Sequence, residues 1–104
     1  MKIEVLYVPG CPNHQPAIKR VQEVLASESL KAEFYEIPVG SGLEAADLGF
    51  PGSPTIRIDG EDVEPNGLRA FGLSCRLYSN QSGIPSVEML RVAILRAQKK
   101  EKFL

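Results

Sequence analysis

The chain opens on Lys2-Ile3-Glu4-Val5-Leu6-Tyr7-Val8, a run rich in β-branched and aromatic side chains that halts at Pro9-Gly10. Beyond Glu4 both faces of the run are apolar, the pattern of a strand in the middle of a covered sheet rather than one with a wet face. From Ala17 the period changes. Ala17, Ile18, Val21, Val24 and Leu25 recur at helical spacing, with Lys19, Arg20, Gln22 and Glu23 on the opposite side. The junction between this strand and this helix carries Cys11 and the only histidine, His14.

The rest of the chain supplies neighbours for that strand. Ala32 to Val39 reads as a second strand, and Gly40 to Gly49 as a short helix lined by Leu43, Ala46 and Phe50 just beyond it. Thr55 to Ile58 alternate, Asp59-Gly60 is a hairpin turn signal, and Glu61 to Val63 return as the partner strand. Asn66 to Gly83 has weak periodicity and three glycines, which predicts an irregular or short-helical segment; Cys75 falls within it. Pro85-Ser86 then offer a proline and a capping hydroxyl before a helix faced by Val87, Leu90, Ala93, Ile94 and Ala97.

The order is strand, helix, strand, helix, strand, strand, loop-rich segment, helix. The first strand, crossover helix and second strand should make a right-handed parallel unit, to which the hairpin adds antiparallel strands. The expected fold class is α/β: a central mixed four-stranded sheet flanked by helices, with a loop-rich insertion before the last helix. At 104 residues one domain spanning residues 1–104 is expected.

Composition narrows the function classes. Hydrophobic residues make up 43% and charged residues 24%, enough for a packed core without disulfide or metal staples. Twelve Lys and Arg against thirteen Asp and Glu give a net charge of -1, and the only basic cluster is Lys99, Lys100 and Lys102. Nucleic acid is therefore not an expected partner. The first residues match neither a secretory h-region nor a cleavage site, and no run approaches a membrane span, so a cytoplasmic chain is expected. Thiols there are kept reduced, and two cysteines point to chemistry more than to a structural bridge.

A thiol near a helix N-terminus is favoured as thiolate, the nucleophilic form. With Asn13 as N-cap, Pro16 falls in the first turn at little cost and Cys11 lies just ahead on the loop; with Cys11 as N-cap, Pro16 would kink the second turn. Cys11 is either a partly exposed nucleophile or a buried small hydrophobe, and His14 either tunes the thiol or is a solvent-facing residue at the helix start. Cys75, between Leu73 and Leu77, reads as a core thiol, as a resolving partner for Cys11, or as part of a soft-metal ligand set with Cys11 and His14. Three ligands are one short of a structural zinc site, so no resident metal or other cofactor is expected, while mercury or copper(I) is the alternative cargo. Arg57, Arg69 and Arg76 are expected on the surface, and Asp59, Glu61, Asp62 and Glu64 as a solvated turn.

Two motifs carry a resemblance. Gly10-Cys11-Pro12-Asn13-His14 resembles the Cys-x-x-Cys motif of thioredoxin-like proteins with His14 in place of the second cysteine, and Ser53-Pro54-Thr55 is similar to their cis-proline step. The match covers about the first sixty residues and the last helix. Within that superfamily the chain looks most like a small bacterial group with Gly-Ser-Pro-Thr at Gly52 to Thr55, Asp59-Gly60, and Gly-Leu-Ser-Cys-Arg-Leu-Tyr at Gly72 to Tyr78. Some members carry alkylmercury-lyase-like labels, which imply nothing about carbon-mercury chemistry.

The resemblance implies a thioredoxin-like fold and a monothiol thiol-disulfide oxidoreductase. Cys11 would be the nucleophile and His14 its tuning group, with Cys75 or an outside thiol such as glutathione resolving the mixed disulfide. Pro12, Ser53, a cis Pro54 and Thr55 would shape the docking groove, with the backbone of Ser53 free to pair with an extended peptide or glutathione. The expected partner is a thiol or disulfide, protein or glutathione. A soft-metal carrier and a redox-inactive interaction module are the other two readings.

Overall fold

In the computed structural model of the chain, which describes residues 1–65 and 71–102, the opening strand lies between two neighbours. β1 (Lys2–Tyr7) is followed by α1 (His14–Ser27), β2 (Glu33–Pro38), α2 (Gly42–Leu48), β3 (Thr55–Ile58), β4 (Glu61–Asp62) and α3 (Val87–Lys102). The sheet order is β2-β1-β3-β4, with β1 and β2 parallel and the other two pairings antiparallel. The architecture is α/β with a mixed four-stranded sheet flanked by helices. Asn66 to Ala70, Arg69 among them, lie outside the described residues.

Alternation along β1 sends Ile3 and Val5 to one face and Leu6 to the other, and all three are buried. Ile3 and Val5 join Ile56 and Ile58 of β3 beneath α1 and α3, which contribute Val21, Val24, Leu90 and Ile94. Leu6 packs on the opposite face with Val39, Ala45 and Phe50. This second core is small, and it is what holds α2 against the sheet.

Helix α1 begins at His14, three residues ahead of its apolar stripe, with Asn13 at the N-cap position. The Asn13 side chain makes no capping bond. It rests against Gly83, where a Cβ would require the Asn13 amide to turn away. Pro16 sits in the first turn as expected, and the first intrahelical bond runs from the Ala17 amide to the Asn13 carbonyl at 3.0 Å.

Helix α2 is capped at both ends. Ser41 Oγ accepts from the Glu44 amide at 3.1 Å, and Gly49 closes the helix in the left-handed conformation, φ 61. Of the three residues expected to line it, Phe50 is buried just beyond the helix, but Leu43 is 74% exposed and Ala46 is also outward, and Ala45 takes the inward position instead. Two turns give too little periodicity to choose a face, and Phe50 reaches the core only because the chain reverses at Gly49. At α3, Ser86 Oγ accepts from the Met89 amide at 3.0 Å, and Leu90, Ile94 and Ala97 face inward as expected. Val87, in the first turn, is exposed instead of buried.

The Asp59-Gly60 turn has positive φ at both residues, 50 and 85, the conformation for which this dipeptide is suited. No helix of the described residues is long and apolar enough to cross a membrane.

Candidate functional site

Cys11 sits between β1 and α1, partly exposed. Its amide donates to the Val8 carbonyl at 3.0 Å, closing the Pro9-Gly10 turn, and its carbonyl accepts from the His14 amide at 3.2 Å. The Val8 amide in turn donates to Ser53 Oγ at 3.0 Å. Ser53 and Cys11 are therefore bound to the same residue, so residues 42 positions apart in the chain meet at the end of β1. The Ser53–Pro54 peptide bond is cis.

The imidazole of His14 is engaged elsewhere. Its Nε2 lies 2.8 Å from Glu36 Oε1, and its ring stacks on Tyr7 with centroids 3.6 Å apart and planes 8° from parallel. Glu36 stands in β2 opposite Val5 of β1, so the parallel register carries its carboxylate to the start of α1. His14 thus pins α1 to two strands, a structural task that the Cys-x-x-His spacing does not reveal. Exchanging His14 for phenylalanine, which keeps a ring over Tyr7 and loses the Glu36 bond, is expected to change the alkylation rate of Cys11 by less than about tenfold, or about 1.4 kcal/mol. A larger drop under pseudo-first-order iodoacetamide would place the imidazole in the chemistry.

The expectation of a free Ser53 backbone is overturned. The Ser53 amide donates to the Ser74 carbonyl at 3.0 Å, and the Ser53 carbonyl accepts from the Arg76 amide at 2.9 Å. Ser53 and Cys75 thereby form a parallel bridge. Ser53, Pro54 and Thr55 are all buried, so of the four residues expected to form a groove only Pro12 is exposed. At Gly52 the two segments approach closely. A Cβ there would lie 3.0 Å from the Ser74 carbonyl oxygen and 3.1 Å from Arg76 Cβ, and its φ of +151 suits glycine.

This isolated bridge sets a burial that differs from the core position read for Cys75 and the surface position expected of Arg76. Leu73, Cys75 and Leu77 point outward, and Arg76 and Tyr78 are buried. Cys75 is thus an exposed thiol and not a core one, and both cysteines are free. Arg76 is no surface arginine: its side chain is fully buried, with Nη1 and Nη2 donating to the two Asp62 oxygens at 2.7 and 2.8 Å. It also donates to Thr55 Oγ1 at 3.1 Å and to the Glu64 carbonyl at 2.8 Å, and lies 4.2 Å from the Tyr78 ring centroid. Tyr78 Oη donates to the Pro54 carbonyl at 2.6 Å. Burial works against the guanidinium charge, but the hydrogen bond with Asp62 and the neighbouring negative groups more than offset it and hold Arg76 above its ordinary value.

The acidic turn is correspondingly not just solvated. Asp62 is the anchor for Arg76, and Glu64 accepts from the Ser79 amide and hydroxyl. Arg57, expected as a surface arginine, donates to the Leu48 and Gly49 carbonyls at the end of α2. Among the described residues no group of three His, Cys, Asp or Glu is placed to hold a metal ion, so Cys11, His14 and Cys75 do not form a ready ligand set. A cavity of about 590 Å³ lies elsewhere, between β4 and α3, and is lined by Ile58, Asp62, Met89, Val92, Arg96 and Lys100 among others, with neither cysteine in its wall.

Glu36, Tyr7 and Asp62 were not distinguished by the sequence. The alternation of Arg76 and Tyr78 with Leu73, Cys75 and Leu77 was the available signal, since period two marks a paired strand whichever residues lie inside. No family model matches the chain, and neither a curated protein nor a solved structure matches it.

Proposed function

We propose that the chain is a thioredoxin-like thiol protein in which Cys11 exchanges disulfides as a lone nucleophile. The observation that carries this reading is the placement of Cys11, partly exposed where β1 turns into α1 and hydrogen-bonded to the Val8 that also holds Ser53. The strand order β2-β1-β3-β4 supports it, because it puts this junction at the end of an interior strand.

The reaction is an exchange with no net change in redox state. The thiolate of Cys11 attacks one sulfur of a disulfide such as glutathione disulfide; a new S–S bond forms, the old one breaks, and the leaving glutathione thiolate takes up a proton. A thiol from solution then attacks the glutathione sulfur, a new S–S bond forms there, and the departing Cys11 thiolate takes up a proton. Attack by exposed Cys75 on the Cys11 sulfur instead forms a Cys11–Cys75 disulfide, releases glutathione thiolate and leaves that bond for an outside thiol to reduce. Position 14 holds an imidazole, so local resolution by a neighbouring thiol in the same motif is not available.

The test uses Cys75→Ser, which leaves Cys11 as the single thiol, exposed to glutathione disulfide and followed by intact mass. The folded protein is expected to gain one reducible glutathione adduct at least about tenfold faster than the same chain unfolded in urea, because the fold and not the thiol alone sets the rate. An equal or slower rate in the folded state overturns the reading.

A further inference from the structure

The backbone of Ser53, the residue bound with Cys11 to Val8, is already paired, and the pairing is built with more than two amide bonds. Ser53 exchanges hydrogen bonds with Ser74 and Arg76, Gly52 leaves space for no side chain between the two segments, and Arg76 and Tyr78 are driven into the protein on the inner side. Arg76 is received by Asp62, Thr55 and the Glu64 carbonyl, and Tyr78 by the Pro54 carbonyl. Leu73, Cys75 and Leu77 are left outside. This is how an added strand binds a sheet edge: main-chain bonds hold it and alternate side chains fill pockets. Here the added strand belongs to the chain itself.

We propose that Ser74-Cys75-Arg76 is an internal ligand of the Ser53 edge. With it seated, an extended polypeptide has no free backbone at Ser53 to pair with, while small disulfides still meet the partly exposed thiol of Cys11. Polypeptide substrates gain Ser53 only when the segment lifts off. This inference rests on the reading of Cys11 as the reacting thiol for its meaning, but the occupancy of the edge is testable without any thiol chemistry.

The tethered segment competes at an effective concentration in the millimolar range, so a free peptide copy should bind the intact protein poorly. The probe is a fluorescein-labelled peptide spanning Gly72 to Ser79 with serine in place of its cysteine, titrated by anisotropy against the full chain and against Arg76→Ala. Removing the arginine from the chain weakens the internal ligand but leaves the Asp62, Thr55 and Glu64 pocket for the arginine of the peptide. The expected result is at least about tenfold tighter binding to Arg76→Ala than to the unaltered protein, with the gain lost for a peptide that itself carries alanine in place of arginine.

Where Arg76→Ala does not fold, Tyr78→Phe, which deletes the bond to the Pro54 carbonyl, is expected to gain roughly two- to tenfold. Equal affinity for the unaltered and altered chains, or no binding to a folded variant, overturns the proposal. The glutathione adduct rate on Cys11, measured separately, reports on the thiol reading alone, so failure of one is told from failure of the other.

Discussion

Replacing Arg76 with alanine is expected to lower the stability of the folded chain by about 3–5 kcal/mol, the range for breaking a buried ion pair by removing one partner. The guanidinium is fully buried and Asp62 is 18% exposed, so the carboxylate left behind has little water to turn to. The change also removes the donors of Thr55 Oγ1 and the Glu64 carbonyl and the cation over the Tyr78 ring. Against a total of about 5–15 kcal/mol for a domain of this size, that is a large fraction. Urea unfolding followed by far-UV circular dichroism measures it, and a loss below about 1 kcal/mol would show that the segment is held by its backbone bonds and not by this anchor.

The arrangement is not an optimum even as it stands. Arg76 Nε is buried without a hydrogen-bond partner among the described residues. Because Asp62 and the neighbouring negative groups raise the guanidinium above its ordinary value, it keeps its proton as pH rises, so alkaline conditions do not release the segment by discharging Arg76. An apolar pair in place of Arg76 and Asp62 should restore part of the lost stability, as buried ion pairs often exchange for packing at little cost.

The second large effect is expected at Phe50. Phe50→Ala should cost about 3–5 kcal/mol, the range for truncating a buried aromatic. Phe50 is fully buried in a small cluster with Leu6, Val39 and Ala45, with Val8 and Ile37 packed against it, so among the described residues few apolar neighbours are able to close the cavity left by the ring. Helix α2 has seven residues, too few to persist without packing. Its amides should therefore lose hydrogen-exchange protection before those of α1 and α3, which lie in the larger core on the other face. Protection unchanged in α2 would mean that its Ser41 and Gly49 caps, with Arg57 on its last carbonyls, hold it unaided.

What the sequence showed and what it hid divide along a physical line. Residues whose placement depends on near neighbours were readable: the covered strand at Ile3 to Leu6, the stripe of α1, the Asp59-Gly60 turn, the Ser86 cap. Each follows from spacing or turn chemistry within a few positions. Residues whose partners come from afar were not. Arg76 is buried because Asp62 is folded against it from 14 positions away, and His14 is held by Glu36 over a separation of 22. The segment from Leu73 to Leu77 misled for a related reason: hydrophobicity alone sends leucine inward, but once Ser53 fixes the register, the inner positions fall to Arg76 and Tyr78, whose polar groups find partners there. Cys11 was located by its junction; which groups surround it was not.

Val8 gives the region a mechanical property. Its amide is committed to Ser53 and its carbonyl to Cys11, so one residue holds both attachments. A bulky group joined to Cys11 that shifts the Pro9-Gly10 turn must pull on the same residue that steadies Ser53. Departure of the Ser74 to Arg76 strand must be felt in the turn that carries the thiol. The backbone nitrogen of Val8 is accordingly a strain gauge for the whole region: one resonance in a nitrogen-proton spectrum reports events on either side of it.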